Sequence, residues 1–374
     1  MKIAILTQPL AHNYGGIIQA YALQEYLEKM GHEAQVVCHK GNQRLTFRTV
    51  LSIGKRFVKS WSGRNQEPSV PVWLDSKRNK VLYGNTDAFI GKYLHTTANT
   101  NRFERLNSEG FDAYITGSDQ VWRPYYNRYT LDAMFLTFVD NPKAVKISYA
   151  ASFGVSDWEF SPTQTRMARE ALTSFRAVSV REDSGVELCR KYLDREAVQL
   201  IDPTMLWDKE DYLSLVPDAE KNNSQNGIFT YIFSSSPGKE NLIKKTADYL
   251  KDHTFSVYTD AVYNEEYREY VVPPVEKWLE GFHKARFVIT DSFHGVVFSI
   301  LFNKPFFAVG NRQRGLARFD SVLKLFSLED RLIGENEILT VEKLNDPVDW
   351  TTVNQILDRE RERSRQFLTM SLLS

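Results

Sequence analysis

The sequence predicts an α/β protein of two Rossmann-like, doubly wound lobes that face each other across a cleft. Three observations carry this. The chain has 374 residues, too many for one ordinary core and suited to two domains of roughly 100–200 residues each. Short β-rich runs alternate with helix-length segments, as in βα units with parallel sheets. The alternation comes in two series, divided near Asp202–Leu215.

The first series opens with KIAILT (Lys2–Thr7). GGIIQAYALQEYLEKMG (Gly15–Gly31) follows, where Ile18, Ala22, Tyr26 and Leu27 share one helical face. Gly31 suits a helix stop. AQVVC (Ala34–Cys38), DAYIT (Asp112–Thr116), VKISYAAS (Val145–Ser152), AVSV (Ala177–Val180) and AVQLI (Ala197–Ile201) are the next strands. After Trp207 come GIFTYIF (Gly227–Phe233), FSVYT (Phe255–Thr259), RFVIT (Arg286–Thr290) and PFFAV (Pro305–Val309). The expected first lobe is therefore 1–205 and the second 206–345. Residues 346–374 form a charged helix able to pack back on the first lobe. Two such lobes bind ligands at the carboxyl ends of their strands.

Hydrophobic residues make up 42% and charged residues 25%, the composition of a soluble globular protein. Lys+Arg and Asp+Glu are both 47, so net charge gives no reason to expect a nucleic-acid partner. The two cysteines, Cys38 and Cys189, exclude a disulfide framework and a four-thiolate zinc site, and fit a reducing, cytoplasmic setting. The N-terminus reads as a strand rather than a signal peptide. No apolar run approaches the roughly 20 residues that span a bilayer. The histidines lack zinc-protease spacing, so no metal is expected. The glycine-containing loop before the first helix does not match the dinucleotide fingerprint, and the absence of a P-loop pattern argues against a P-loop ATPase.

The candidate chemistry sits at strand ends. FVITDSFHGVVFSILFNKPFFAVG (Phe287–Gly310) is mostly apolar, yet places His294 at a strand-to-helix turn. Asp291 or Ser292 can cap that helix. The imidazole should then face the cleft as a candidate general acid, beside N–H groups that attract anions. Ser292 is an expected substrate contact. The plainer reading is a histidine hydrogen-bonded as structural filler. YITGSDQVW (Tyr114–Trp122) has the same form: Asp119 is a candidate base and Ser118 a candidate substrate contact, against a simple turn or cap. Arg181 follows AVSV, where its fork can grip phosphate or carboxylate; the alternative is an ion pair with Glu182 or Asp183. Arg312, Arg314 and Arg318 lie close together in the chain with no acid until Asp320, and could neutralise a multiply charged anion. Before the first helix, Gly15 and Gly16 permit close backbone approach, and Asn13 and Gln19 can bond hydroxyls.

From Ala34 to Gln66 there is no acidic residue, and Arg48–Arg64 is basic with Val50, Phe57, Val58 and Trp61 on one helical face. That pattern fits a helix lying on an anionic membrane, at the inner face of the plasma membrane for a cytoplasmic protein. It also fits an excursion packed on the first lobe.

Taken together, NYGGIIQAYALQEYL, ITGSDQVW, SVRE, DPT and TDSFHG resemble the polysaccharide pyruvyl transferase family, over about Ile3 to Phe306. The resemblance implies a two-lobe fold like that of B-type glycosyltransferases (GT-B-like). It implies transfer of the pyruvyl group of phosphoenolpyruvate to two hydroxyls of a sugar, as a cyclic ketal, with release of phosphate and no cofactor. The expected partners are phosphoenolpyruvate and a sugar or lipid-linked oligosaccharide. By motif, the family's histidine falls on His294, its arginine on Arg181 and its acid on Asp119. Two rival readings keep the fold: a glycosyltransferase using a nucleotide sugar, and a non-catalytic glycan-binding protein.

Overall fold

A computed structural model describes residues 1–10, 12–39, 76–217, 227–310, 316–337 and 340–373. The basic stretch Arg48–Arg64, and with it the membrane reading, lies outside the described residues, as do Arg312 and Arg314.

Short runs of Val, Ile, Ala and Phe, buried on both faces, can only be satisfied inside a parallel sheet covered by helices. Six strands form the first sheet, its inner four largely buried and its two edge strands, β2 and β6, less so: β1 (Lys2–Leu6), β2 (Glu33–Val36), β3 (Ala113–Thr116), β4 (Val145–Ala151), β5 (Ala177–Val180) and β6 (Val198–Gln199). Their order is β2-β1-β3-β4-β5-β6, all parallel. The second sheet holds β7 (Ile228–Tyr231), β8 (Thr254–Ser256), β11 (Phe287–Thr290), β12 (Phe306–Val309) and β13 (Leu332–Ile333), in the parallel order β13-β12-β11-β7-β8. An antiparallel hairpin, β9 (Tyr263–Asn264) and β10 (Glu269–Tyr270), stands outside it. The fold is thus the two parallel α/β lobes that the alternation predicts.

The helices that matter here are α1 (Tyr14–Lys29), α2 (Pro162–Leu172), α3 (Asp183–Leu193), α4 (Pro237–Leu250), α5 (Val275–Lys284), α6 (Phe293–Leu301), α7 (Ala317–Leu325) and α8 (Trp350–Leu372). One apolar core runs through both lobes, from Ile5 and Ile18 by way of Trp207 and Tyr212 to Trp278 and Phe298. Tyr14 of α1 crosses the gap, stacking on Trp278 at 5.8 Å and donating to the Pro273 carbonyl at 2.8 Å. Helix α8 lies against the first lobe: Arg361 donates to the Met205 and Trp207 carbonyls, and Arg176 to the Leu373 carbonyl. No described helix is long and apolar enough to cross a membrane.

Candidate active site

Each sheet has one place where the strand order reverses: between β1 and β3 in the first, and between β7 and β11 in the second. Ligands bind at such switch points because the flanking loops diverge there. The two face each other. A cleft of about 730 Å³ between them is lined by Gln8, Asn13, Asp119 and Gln120 from one lobe and by Phe233, Ser292, His294 and Arg318 from the other.

His294 is the second residue of α6, whose first turn is capped by the Ser292 hydroxyl accepting from Gly295 N–H at 3.4 Å. Of the two expected caps, Ser292 takes the role. Asp291 turns away to accept from buried Lys239 at 2.7 Å and from Phe233 N–H at 2.7 Å, which pins the loop after β7. The His294 ring is 6% exposed, at the floor of the cleft. Its back rests on α1: a Cβ built on Gly15 would lie 2.0 Å from Nδ1. Gly15 therefore serves the imidazole rather than a ligand. Neither Gly15 nor Gly16 lines the cleft, whereas Asn13 does.

Beneath the histidine lies a buried charged network. Asp202 Oδ2 is 3.6 Å from His294 Nε2, too long for a hydrogen bond. It is 2.7 Å from Arg181 Nη1 and accepts from Ser118 Oγ at 2.8 Å. Its other oxygen accepts from Thr204 Oγ1 at 2.7 Å. Burial alone would push the Asp202 carboxyl up; contact with His294 and the charge of Arg181 outweigh it and hold the group well below the usual carboxylate range. Arg181 also lies 3.7 Å from Glu182, which accepts from the Ser152 hydroxyl. Burial raises the Glu182 carboxyl despite these partners.

Arg181 and Ser118 do not line the cleft, contrary to the expected substrate contacts. The Phe293 ring covers the Arg181 guanidinium at 4.1 Å, and the ion pair weighed for Arg181 is what the structure contains, with Asp202 added. The reason is desolvation: a buried guanidinium needs carboxylates beside it. Even so, Arg181 Nε and Nη2 and His294 Nε2 find no hydrogen-bond partner, so orphaned polar atoms gather under the cleft floor.

Asp119 lies in the cleft wall with left-handed backbone, φ 78°, a conformation costing a non-glycine residue about 1–3 kcal/mol. The turn is held by Asp119 Oδ1 accepting from Gln120 N–H at 2.7 Å and by Ser152 N–H donating to the Asp119 carbonyl at 3.1 Å. Among the described residues, the arginine that lines the cleft is Arg318, on the first turn of α7. Burial and the nearby Arg181 lower it to about 10, while Asp119 and Glu182 favour its charge, so it remains cationic at neutral pH. Sequence reasoning placed Arg318 in a run of three arginines but did not select it. Its signal was its position where α7 begins, after the strand PFFAV. Asp202 was present in the DPT motif, with nothing local to show its partner. Among the described residues, no group of three or more His, Cys, Asp or Glu is placed to hold a metal ion.

Comparison with curated proteins finds no match. Among solved structures, the chain is similar to HepE of Anabaena in complex with UDP and glucose, at 12% identity over 98% of this chain and 95% of that one, TM-score 0.47. It is also similar to the UDP-GlcNAc 2-epimerase of Neisseria meningitidis bound to UDP-GlcNAc, at 10% identity over 100% and 95%, TM-score 0.44. The sequence model described as polysaccharide pyruvyl transferase matches residues 13–313, a span that includes His294, Asp119, Arg181 and Asp202. That match covers most of the chain, which therefore belongs to the polysaccharide pyruvyl transferase family.

Proposed function

We propose that the cleft transfers the pyruvyl group of phosphoenolpyruvate to two hydroxyls of one sugar in a polysaccharide or lipid-linked oligosaccharide precursor. The observation that carries this reading is the convergence of His294, Asp119 and Arg318 on one inter-lobe cleft. Phosphoenolpyruvate bears a phosphate and a carboxylate, and Arg318 is a guanidinium able to take one of them in two parallel hydrogen bonds. Arg312 and Arg314, just before it in the chain, are candidates for the other.

In the proposed sequence His294 gives a proton to C3 of the enol, which makes C2 electrophilic. A sugar hydroxyl attacks C2, and Asp119 takes its proton. The C2–O bond to phosphate breaks, phosphate leaves, and the second hydroxyl closes the ketal at C2. The two hydroxyls give up two protons. One restores His294 and the other departs with the phosphate, so the exchange balances with no redox partner. Arg181 and Asp202 act behind the histidine, fixing the charge under its ring.

The test is incubation with phosphoenolpyruvate and a panel of galactose, glucose, mannose and N-acetylmannosamine acceptors, reading phosphate together with a pyruvyl mass gain. His294→Ala should abolish phosphate release. Activity that survives the substitution makes the histidine structural. Nucleotide release from a nucleotide sugar, with none of phosphate from phosphoenolpyruvate, moves the assignment to a glycosyltransferase.

A further inference from the structure

Among the described residues, the large aromatic rings left in water are gathered in one place. Among the described residues six are exposed, by 38–75%: Tyr125, Tyr126, Phe233, Tyr258, Tyr263 and Tyr270. Tyr126, Phe233 and Tyr258 line the inter-lobe cleft. The others continue outward from them: Tyr125 is 5.1 Å from Tyr126, Tyr270 is 6.3 Å from Tyr258, and Tyr263 is 5.1 Å from Tyr270. The six make an aromatic rim, one part on each lobe, continuous with the cleft.

The rim is built rather than loose. On the first lobe, Arg123 lies over both Tyr125 and Tyr126, and is itself held by Glu159 at 3.1 Å. Buried Asn127 ties that turn by donating to the carbonyls of Gln120, Val121 and Arg123. On the second lobe, Tyr263 and Tyr270 are cross-strand partners in the β9–β10 hairpin. The hairpin is anchored to the first lobe by Val272 N–H donating to the Leu82 carbonyl at 2.8 Å and by the ion pair of Arg78 with Glu269. Aromatic surface held in water beside a cleft marks a binding site.

The chemistry of the rim selects its ligand. Five of the six rings are tyrosines, which pair an apolar face with a hydroxyl tip. A pyranose offers the complement, C–H faces with hydroxyl edges. Residues 258–270 carry Asp260, Glu265, Glu266 and Glu269 against Arg268 alone, which disfavours nucleic acid and anionic lipid. The cleft volume, about 730 Å³, suits a ligand far larger than a three-carbon donor.

We propose that this rim is an extended acceptor subsite that holds the sugar rings next to the one modified, so that the protein selects an oligosaccharide chain over a single sugar. The proposal rests on the reading of the cleft as a sugar-acceptor site. It is tested by saturation-transfer NMR on the intact protein without donor. The probes are α- and β-linked galacto-, gluco- and manno-oligosaccharides of one to four rings. For at least one series, the dissociation constant should fall about tenfold from one ring to three. The double variant Tyr263→Ala/Tyr270→Ala should lose that length dependence. Tyr125→Ala, on a separate element, should weaken it, which keeps the test decisive if the hairpin variant unfolds. Length-independent binding, no binding across the panel, or a length dependence unchanged in both variants overturns the proposal. So does a hairpin variant whose one effect is altered sedimentation, since the rings would then be a contact between protein chains. Phosphate release is followed in parallel. Its absence, with tyrosine-dependent chain binding intact, would overturn the donor chemistry and leave the subsite standing.

Discussion

Gly15→Ala puts a methyl carbon 2.0 Å from Nδ1, 2.4 Å from Cγ and 2.8 Å from Cε1 of His294. Gly15 sits within α1 and is not among the residues with left-handed backbone. In free space the substitution would therefore favour the helix by about 1 kcal/mol. The space is occupied. Ordinary van der Waals contact begins at 3.4 Å, so the ring must retreat by about 1.4 Å, which is 3.4 minus 2.0 Å. Misplacing a reacting group by about 1 Å costs on the order of 100-fold in rate. Overpacking of this kind costs roughly 1–3 kcal/mol. Set against the helix gain, the net loss of stability is about 0–2 kcal/mol. Phosphate release from phosphoenolpyruvate should therefore fall about 100-fold while urea denaturation shows a folded protein. Gly16→Ala is the matched control. Its methyl meets Asn13 Nδ2 at 3.4 Å, an ordinary contact, so activity should stay within about threefold and stability should rise by up to about 1 kcal/mol. Full activity in the Gly15 variant, or equal losses in both, refutes the view that this glycine exists to seat the imidazole.

Three further predictions follow from the buried charges. Asp202→Asn leaves Arg181 with Glu182 alone and should cost roughly 3–5 kcal/mol in urea denaturation. The Asp202 carboxyl is depressed in the folded state, so its stabilisation is complete above the unfolded value near 3.9 and is lost as pH falls through the folded one. The difference from wild type should thus be flat over about pH 5–8 and shrink only in strong acid; a decline already visible between about pH 7 and 5 contradicts the assignment. Arg318→Ala should raise KM for phosphoenolpyruvate by roughly 10–150-fold and leave the acceptor KM much less affected, and a change confined to the acceptor would remove Arg318 from the donor site. Lys239→Met strands Asp291 as a buried charge and should lower stability by roughly 3–5 kcal/mol. Adding Asp291→Asn should restore part of it in thermal denaturation, and no recovery would show that the pair is not what holds the β7 loop.

How much was legible depended on how local the signal was. The strands from β1 to β7, with β8, β11 and β12, announce themselves as apolar runs flanked by helix-length segments. β13 and the β9–β10 hairpin, two residues per strand, carry no periodicity and exist through their pairing alone. The histidine in TDSFHG stood out because an ionisable ring in an apolar segment needs a reason. Asp119 and Ser292 were visible as polar residues at strand ends. Arg181 looked the same in sequence yet ended under Phe293, because Asp202, 21 residues on and in the turn after the next strand, claims its guanidinium.

The sequence by itself determined the two-lobe α/β class, the strand ends that carry polar side chains, and the family. These follow from hydrophobic periodicity and short motifs, which are properties of neighbours in the chain. The tertiary structure alone decided which of those polar ends share the cleft, which pair off beneath it, that Gly15 backs His294, and that six exposed rings from two lobes form a single rim. Those outcomes turn on contacts between distant segments, where burial forces each charge to find a partner that no local pattern names.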